Sequence, residues 1–444
     1  MSPEPVPDRS DVRIHSEFTQ RQRRSGATNG RWLANAVLVG ALGVSVAACG
    51  GSGGGGGGAS QPGGRTLTVY SSMPLQGAGG PQSRSVVNGM KLALAQNHGR
   101  AGKFKIKFVS LDNSTAQAGS WTPEATSANA RKAAGDSDTA VYLGEFNSGA
   151  AAVSIPILNS AGVPMISPAN TAVGLTTKGP GATPGEPEKY YPTGKRNYVR
   201  VVARDSIKGP AMVSVMKDDG CTKVELTNDK EVYGAGLAQA IVIAAKKQGL
   251  DILSNDGIDV KAPNYRSLAQ RAKAAGADCF AYSGVTQNNA VQLFKDFASA
   301  LPTAKLYGPD GTCESGFINT KTGIPASVAA RYKCTSPTLP KSQLPPQGQQ
   351  FFKDYAQKYG DTTPDPYSIY GYESMQLALD AIRRSKTGEK ADIVKALFAT
   401  KDRHSALGTY SIDKNGDTTL TEMALEGVEN GRLKFIKVIH GAAL

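Results

Sequence analysis

Histidine is scarce in this chain. Four occur in 444 residues, at positions 15, 98, 404 and 440, and they are scattered rather than clustered. The five cysteines include no Cys-x-x-Cys pair, so the usual ligand spacings of a metal site are missing and none is expected. No Walker loop and no Rossmann glycine fingerprint follows a strand-like segment, and no serine sits in a nucleophile elbow with a His/Asp pair to match. These gaps argue against nucleotide-dependent or hydrolytic chemistry, so no enzymatic activity and no cofactor are expected. After position 49 there is no second long apolar run to span a bilayer. The formal charge of +13 is dispersed, because lysines and arginines alternate with acids. A nucleic-acid module would concentrate them in a stripe, so the basic surface reads as solvated, with some attraction to anionic lipid and no nucleic-acid partner.

What is present begins at the N-terminus. Arg21, Arg23, Arg24 and Arg31 flank an apolar segment, 32–48, which ends in Val46-Ala47-Ala48-Cys49. A basic flank, a short apolar core and small residues before a cysteine resemble a bacterial lipoprotein export signal. The alternatives are an ordinary soluble signal or an uncleaved anchor. On the lipoprotein reading residues 1–48 are removed and Cys49 carries the lipid. The Gly/Ser-rich stretch 49–64 is then a flexible tether, and the protein is extracytoplasmic and anchored to the cell membrane. Four cysteines remain for an oxidising compartment, which allows three pairings. Cys221–Cys279 and Cys313–Cys334 are expected, because the first pair opens two strands of successive βα units and the second closes a short loop.

From residue 65 onward, strands alternate with helices. Strand patterns fall at 67–71, 104–108, 139–144, 163–167 and 198–202, then at 223–227, 278–283 and 305–308. Helical periodicity fills the gaps, as at Val87, Met90 and Leu94, or at Leu237, Ile241 and Ala245. Helices follow at 349–359, 370–384 and 390–399, and the tail reads as antiparallel strands with turns at Lys414-Asn415-Gly416 and Asn430-Gly431. This order predicts an α/β fold of two Rossmann-like lobes, each with a central parallel sheet. Asp413 to Asp417 has the look of a calcium loop, but Thr418 occupies the position where such a loop needs glycine.

Open parallel sheets bind ligands at the carboxyl ends of their strands, so the residues following each strand are the candidates. Gly144-Glu145-Phe146-Asn147-Ser148-Gly149 and Ser167-Pro168-Ala169-Asn170-Thr171 each lead into a helix and offer hydroxyls and backbone donors to an anion. Simple helix capping would also explain either one. Tyr233 opens a helix after the strand ending at Thr227, as a wall for the cleft or as ordinary packing. Asp310, in Gly308-Pro309-Asp310-Gly311, is a counter-charge for an ammonium or a plain turn aspartate.

In order along the chain, Ser-Pro-Ala after a strand, Tyr-Gly-x-Gly-Leu-Ala, Gly-Pro-Asp-Gly, Pro-Tyr-x-x-Tyr-Gly-Tyr-Glu and Gly-x-Tyr-Ser-Ile-Asp-x-x-Gly-Asp occur. This set resembles the branched-chain amino-acid substrate-binding proteins of ABC importers, over about residue 66 to the C-terminus. The resemblance implies the type I periplasmic binding protein fold, with two lobes joined by a three-segment hinge near 203–205, 334–337 and 405–408. The lobes would be 65–203 plus 336–406, and 204–335 plus 407–444. It also implies that Asn147, Ser148, Thr171 and the backbone of Ala169 line the carboxylate end of a bound amino acid, that Asp310 pairs its ammonium and that Tyr233 covers it. Asp310→Ala is then expected to abolish binding and spare the fold. Members often carry Glu where Asp310 stands, and many have an aromatic where Val285 follows Ser283-Gly284. The implied partners are a small-molecule ligand, an ABC permease and, through the lipid, a membrane, with the protein a monomer. The alternatives are a sensor of the same fold or a binder of an amide or small carboxylate.

Overall fold

Leu67 and Val69, with Phe104, Ile106 and Phe108, line one face of a six-stranded sheet in the computed structural model, which describes residues 64–441, and Tyr70 lies in the core on the other face. The export signal, Cys49 and the tether through residue 63 lie outside the described residues. The strands are β1 (Thr66–Met73), β2 (Arg100–Ala101), β3 (Phe104–Asp112), β4 (Thr139–Gly144), β5 (Met165–Ser167) and β6 (Tyr198–Arg200), in the order β2-β3-β1-β4-β5-β6. All pairings are parallel except β2 with β3. Helices α1 (Gly80–Gln96), α2 (Pro123–Gly135) and α3 (Ser148–Ser160) connect them. Helix α3 continues through Pro156.

The second unit of the chain starts with α4 (Asp205–Asp218) and then alternates β7 (Lys223–Asn228), α5 (Val232–Gln248), β8 (Asp251–Gly257), α6 (Arg266–Ala274), β9 (Cys279–Ser283), α7 (Val291–Ala300), β10 (Lys305–Gly308), α8 (Ala326–Ala329) and β11 (Tyr332–Ser336). The chain then returns to the first sheet with α9 (Pro346–Tyr359), α10 (Ser368–Ser385) and α11 (Lys390–Phe398), whose apolar faces join the core of β1, β4 and α1. Glycine permits the α1–α10 approach: a Cβ on Gly89 would lie 2.1 Å from the Ser368 carbonyl oxygen, and one on Gly371 would lie 2.2 Å from that of Val86. A hairpin of β12 (Arg403–Ser405) and β13 (Gly408–Tyr410) precedes β14 (Glu422–Glu429) and β15 (Arg432–His440). The last two complete a seven-stranded sheet, β15-β14-β11-β10-β9-β7-β8, with an Asn430-Gly431 turn in which both residues take positive φ.

Several elements escape the sequence pattern. Helix α4 carries Gly209-Pro210 in its interior, which reads as a breaker, and β8 and β11 are short polar strands. Residues 405–408, expected as a crossing, are the turn of the β12–β13 hairpin, whose Ala406 and Leu407 sit in the first core. The chain reaches the second sheet only at Glu422, so its third passage lies between Ile412, still in the first core, and that strand. Asp417 on this passage accepts from Arg200 (2.7 Å) and Arg204 (2.6 Å), which engages the carboxylate that a calcium loop would need.

Both expected disulfides form, Cys221–Cys279 across the starts of β7 and β9, and Cys313–Cys334. They close loops of 58 and 21 residues, so chain entropy assigns about 4 kcal/mol to the first and about 3 kcal/mol to the second. Replacing each pair by alanine should therefore lower stability more for Cys221/Cys279, which paired urea melts of the two double variants will measure.

Candidate functional site

The carboxyl ends of strands from both sheets meet around one small cavity. From the first sheet, the segment after β4 contributes Phe146, Asn147 and Ser148, and the segment after β5 contributes Ala169. From the second, Tyr233 comes from the first turn of α5, Val285 follows β9, and Asp310 and Gly311 follow β10. Tyr367, just ahead of α10, closes the ring. The cavity measures about 20 Å³, room for about one water, so a solute can enter only when the walls part. A larger depression of about 540 Å³ lies among Lys305, Lys333, Lys434 and Ile436, at the amino ends of β10 and β11 rather than at the ends where parallel sheets bind ligands.

The first-sheet wall is a set of donors. The helical ladder of α3 starts with Ala151 N–H to the Asn147 carbonyl, so the N–H groups of Ser148, Gly149 and Ala150 point out of the helix end. Ser148 Oγ accepts from Ala172 N at 3.3 Å and keeps its own hydrogen for the cavity. Asn147 Oδ1 is buried and has no partner. Ala169, expected to offer its N–H, instead donates it to Ser167 Oγ at 3.1 Å, in a turn that also ties down Asn170 N. Thr171 is buried but does not line the cavity. Its carbonyl accepts the N–H of Asp205 at 2.8 Å, and so fixes the start of α4.

On the opposite wall, Asp310 is already paired. Its Oδ1 accepts from Lys208 Nζ at 2.5 Å and from Tyr233 OH at 2.5 Å, and its Oδ2 accepts from Tyr367 OH. Lys208 projects from α4, is 2 % exposed, lies 3.1 Å from Asp205 one turn earlier, and sits 5.1 Å from the centre of the Tyr233 ring. Neither Lys208 nor Tyr367 was assigned a role from sequence. Tyr367 stood inside a recognised motif, and Lys208 had a usable signal in its (i, i+3) spacing from Asp205, hidden by the glycine and proline that follow it.

A family profile described as periplasmic binding protein matches residues 71–432. The chain belongs to that family. Among its relatives, the Leu/Ile/Val-binding protein BraC3 of Rhizobium johnstonii is 23% identical over 370 residues, covering 83% of this chain and 93% of the relative. The leucine binding protein LivK of Thermotoga maritima superimposes with a TM-score of 0.73 at 21% identity, over 84% of this chain and 99% of that one. A solute binding protein of R. palustris, solved in complex with benzoate, does so with 0.68 at 18% identity, over 85% and 98%. The two-sheet α/β architecture is thus the type I periplasmic binding protein fold.

Within this periplasmic binding protein, burial alone would drive the Lys208 ammonium towards neutrality, but attraction to Asp205 and Asp310 outweighs it and holds the pKa above its ordinary value. Burial pushes the Asp205 carboxyl up, and Asp310 adds to this while Lys208 opposes it. A second ammonium about 4 Å from Lys208 would meet a repulsion of about 4 kcal/mol at an effective dielectric constant near 20. Beneath the Asn147 loop, burial raises Glu145 from 4.5 to about 7, although Asn113 (2.6 Å) and Tyr142 (2.7 Å) both donate to its carboxyl. Among the described residues the cluster nearest to a metal-ligand set is Cys221, Asp278 and Cys279, and its two sulfurs are bonded to each other.

Asp310→Ala should therefore damage the fold, contrary to the expectation from sequence. Removing one partner of a buried pair costs about 3–5 kcal/mol, and Lys208→Met with Asp310→Leu should restore most of it in urea unfolding. Glu145 holds a proton in the folded protein that the unfolded chain has already released. Its contribution to stability should fall as pH rises from 4.5 towards about 7, by up to about 3 kcal/mol. Glu145→Gln should flatten that slope in melts taken at pH 5 and pH 7.5.

Proposed function

We propose that this protein is the extracytoplasmic receptor of an ABC importer, which captures a small carboxylate-bearing solute between two lobes and presents the closed form to a membrane permease. The observation that carries the reading is the convergence of strand ends from both sheets on one cavity, with helix-end N–H groups and hydroxyls on one side and Asp310, Tyr233 and Tyr367 on the other. A solute touching both walls stabilises only the arrangement in which they meet, and this differential contact is what drives closure. The lobes of this reading are 65–203 plus 336–412 and 204–335 plus 422–444, with the third passage in the segment between Ile412 and Glu422 rather than at 405–408. Cys49 carries the lipid, residues 49–64 give the body its reach, and the receptor works as a monomer.

Relatives named for leucine, isoleucine and valine support an amino acid as the solute, and the benzoate complex supports a simple carboxylic acid. Both carry a carboxylate, which suits the donor wall at α3. The amino-acid reading needs Asp310 to exchange Lys208 for the ligand's ammonium.

A thermal-shift screen of the purified protein against amino acids, amides and small carboxylates tests capture. At a 100-fold excess over Kd a ligand adds about 2.7 kcal/mol, a shift of several degrees. Gly149 lies between the walls, where a Cβ would meet Trp121 at 2.6 Å and Glu231 Oε2 at 2.8 Å. Gly149→Leu should hold the cleft apart and weaken any such ligand at least about tenfold by calorimetry, with far-UV circular dichroism unchanged. Normal affinity in this variant would remove the cleft from consideration.

A further inference from the structure

We infer that Lys208 fills the place of a ligand ammonium, and that the site accordingly selects carboxylates that carry no free amino group. This rests on the capture reading above and specifies the solute class.

Among the described residues Asp310 is the one carboxylate that lines the cavity, so it is the charged partner an incoming ammonium would find there. Its oxygens already receive three donors, from Lys208, Tyr233 and Tyr367. A carboxylate accepts about four hydrogen bonds, so one position remains, and it lies beside the Lys208 ammonium. Lys208 cannot readily withdraw. It is buried, Asp205 holds it from within its own helix, and the Tyr233 ring lies against it. Arg200 and Arg204 face Asp417, and Lys208 lies between Asp205 and Asp310, so these three cations and three carboxylates are already paired without a ligand. An amino acid would bring a second ammonium beside that of Lys208. An amine-free acid needs only the donors at α3, and its skeleton meets Phe146, Val285 and Ala169, which are apolar.

The test is a calorimetric panel of matched pairs on the full chain: L-leucine against 4-methyl-2-oxopentanoate and 4-methylpentanoate, and L-phenylalanine against 3-phenylpropanoate and benzoate. The amine-free member of a pair should bind at least about tenfold more tightly than its amino acid. Equal or tighter binding of the amino acid overturns the inference and leaves capture standing. No binding by any member overturns capture and the inference together. Lys208→Gln, which releases Asp310, should narrow or reverse the preference, and an unchanged preference in a folded variant would show that Lys208 does not set it. Should that variant fail to fold, the panel on the unaltered protein still decides.

Discussion

Lys208 places an ammonium where water does not reach, and two carboxylates must stay close enough to keep it charged. The cleft follows from that requirement. Asp205 is positioned by the carbonyl of Thr171, so the segment after β5 and the start of α4 are tied together. Asp310 is positioned by two tyrosines, one from α5 and one from the approach to α10, so elements packed on different sheets converge on one carboxylate. Breaking such a pair leaves a bare charge in a low-dielectric interior, which costs far more than the pair contributes when intact. The same geometry makes the site selective, since a group engaged three times over has little capacity for a ligand.

The scaffold makes this convergence possible. Parallel strands deliver successive loops to one edge of a sheet, and two such sheets bring their carboxyl edges together. Helices cover both faces of each sheet, with glycines allowing the closest crossings. A second set of charges, Arg200 and Arg204 on Asp417, lies on the chain's first and third passages between the sheets. Attraction to the two arginines outweighs burial and holds the Asp417 carboxyl below its usual range, so this contact is strongest once the carboxylate is ionised.

Much of this could be read from residue order. The alternation of apolar pairs and helical faces located most strands of both sheets, and reading past strand ends named Asn147, Ser148, Ala169, Tyr233 and Asp310, all of which line one cavity. Three positions sit differently in the fold from what the sequence suggests. Thr171 has the right residue type and position, but its carbonyl serves α4 and its side chain does not line the cavity. The Ala169 N–H is a donor in any extended segment, but Ser167 captures it within the same turn. Residues 405–408 sit where a crossing was expected, yet they pair locally into a hairpin. At Ala169 and at 405–408 a local hydrogen bond competes with the distant role, and the sequence lists both partners without ranking them; at Thr171 only the packed fold decides which surface the hydroxyl faces.

The sequence by itself determined the alternating α/β architecture and the candidate groups at the strand ends, because these depend on local periodicity and short-range order, while among the three possible cysteine pairings it only favoured the one that forms. Only the tertiary structure decided what Asp310 faces. Lys208 lies 102 residues away in sequence, on a helix whose Gly-Pro interior conceals it, and its ammonium meets that carboxylate only after two βα layers have packed. Charge pairing at such a distance depends on where folding brings the atoms, and residue order carries no term for it.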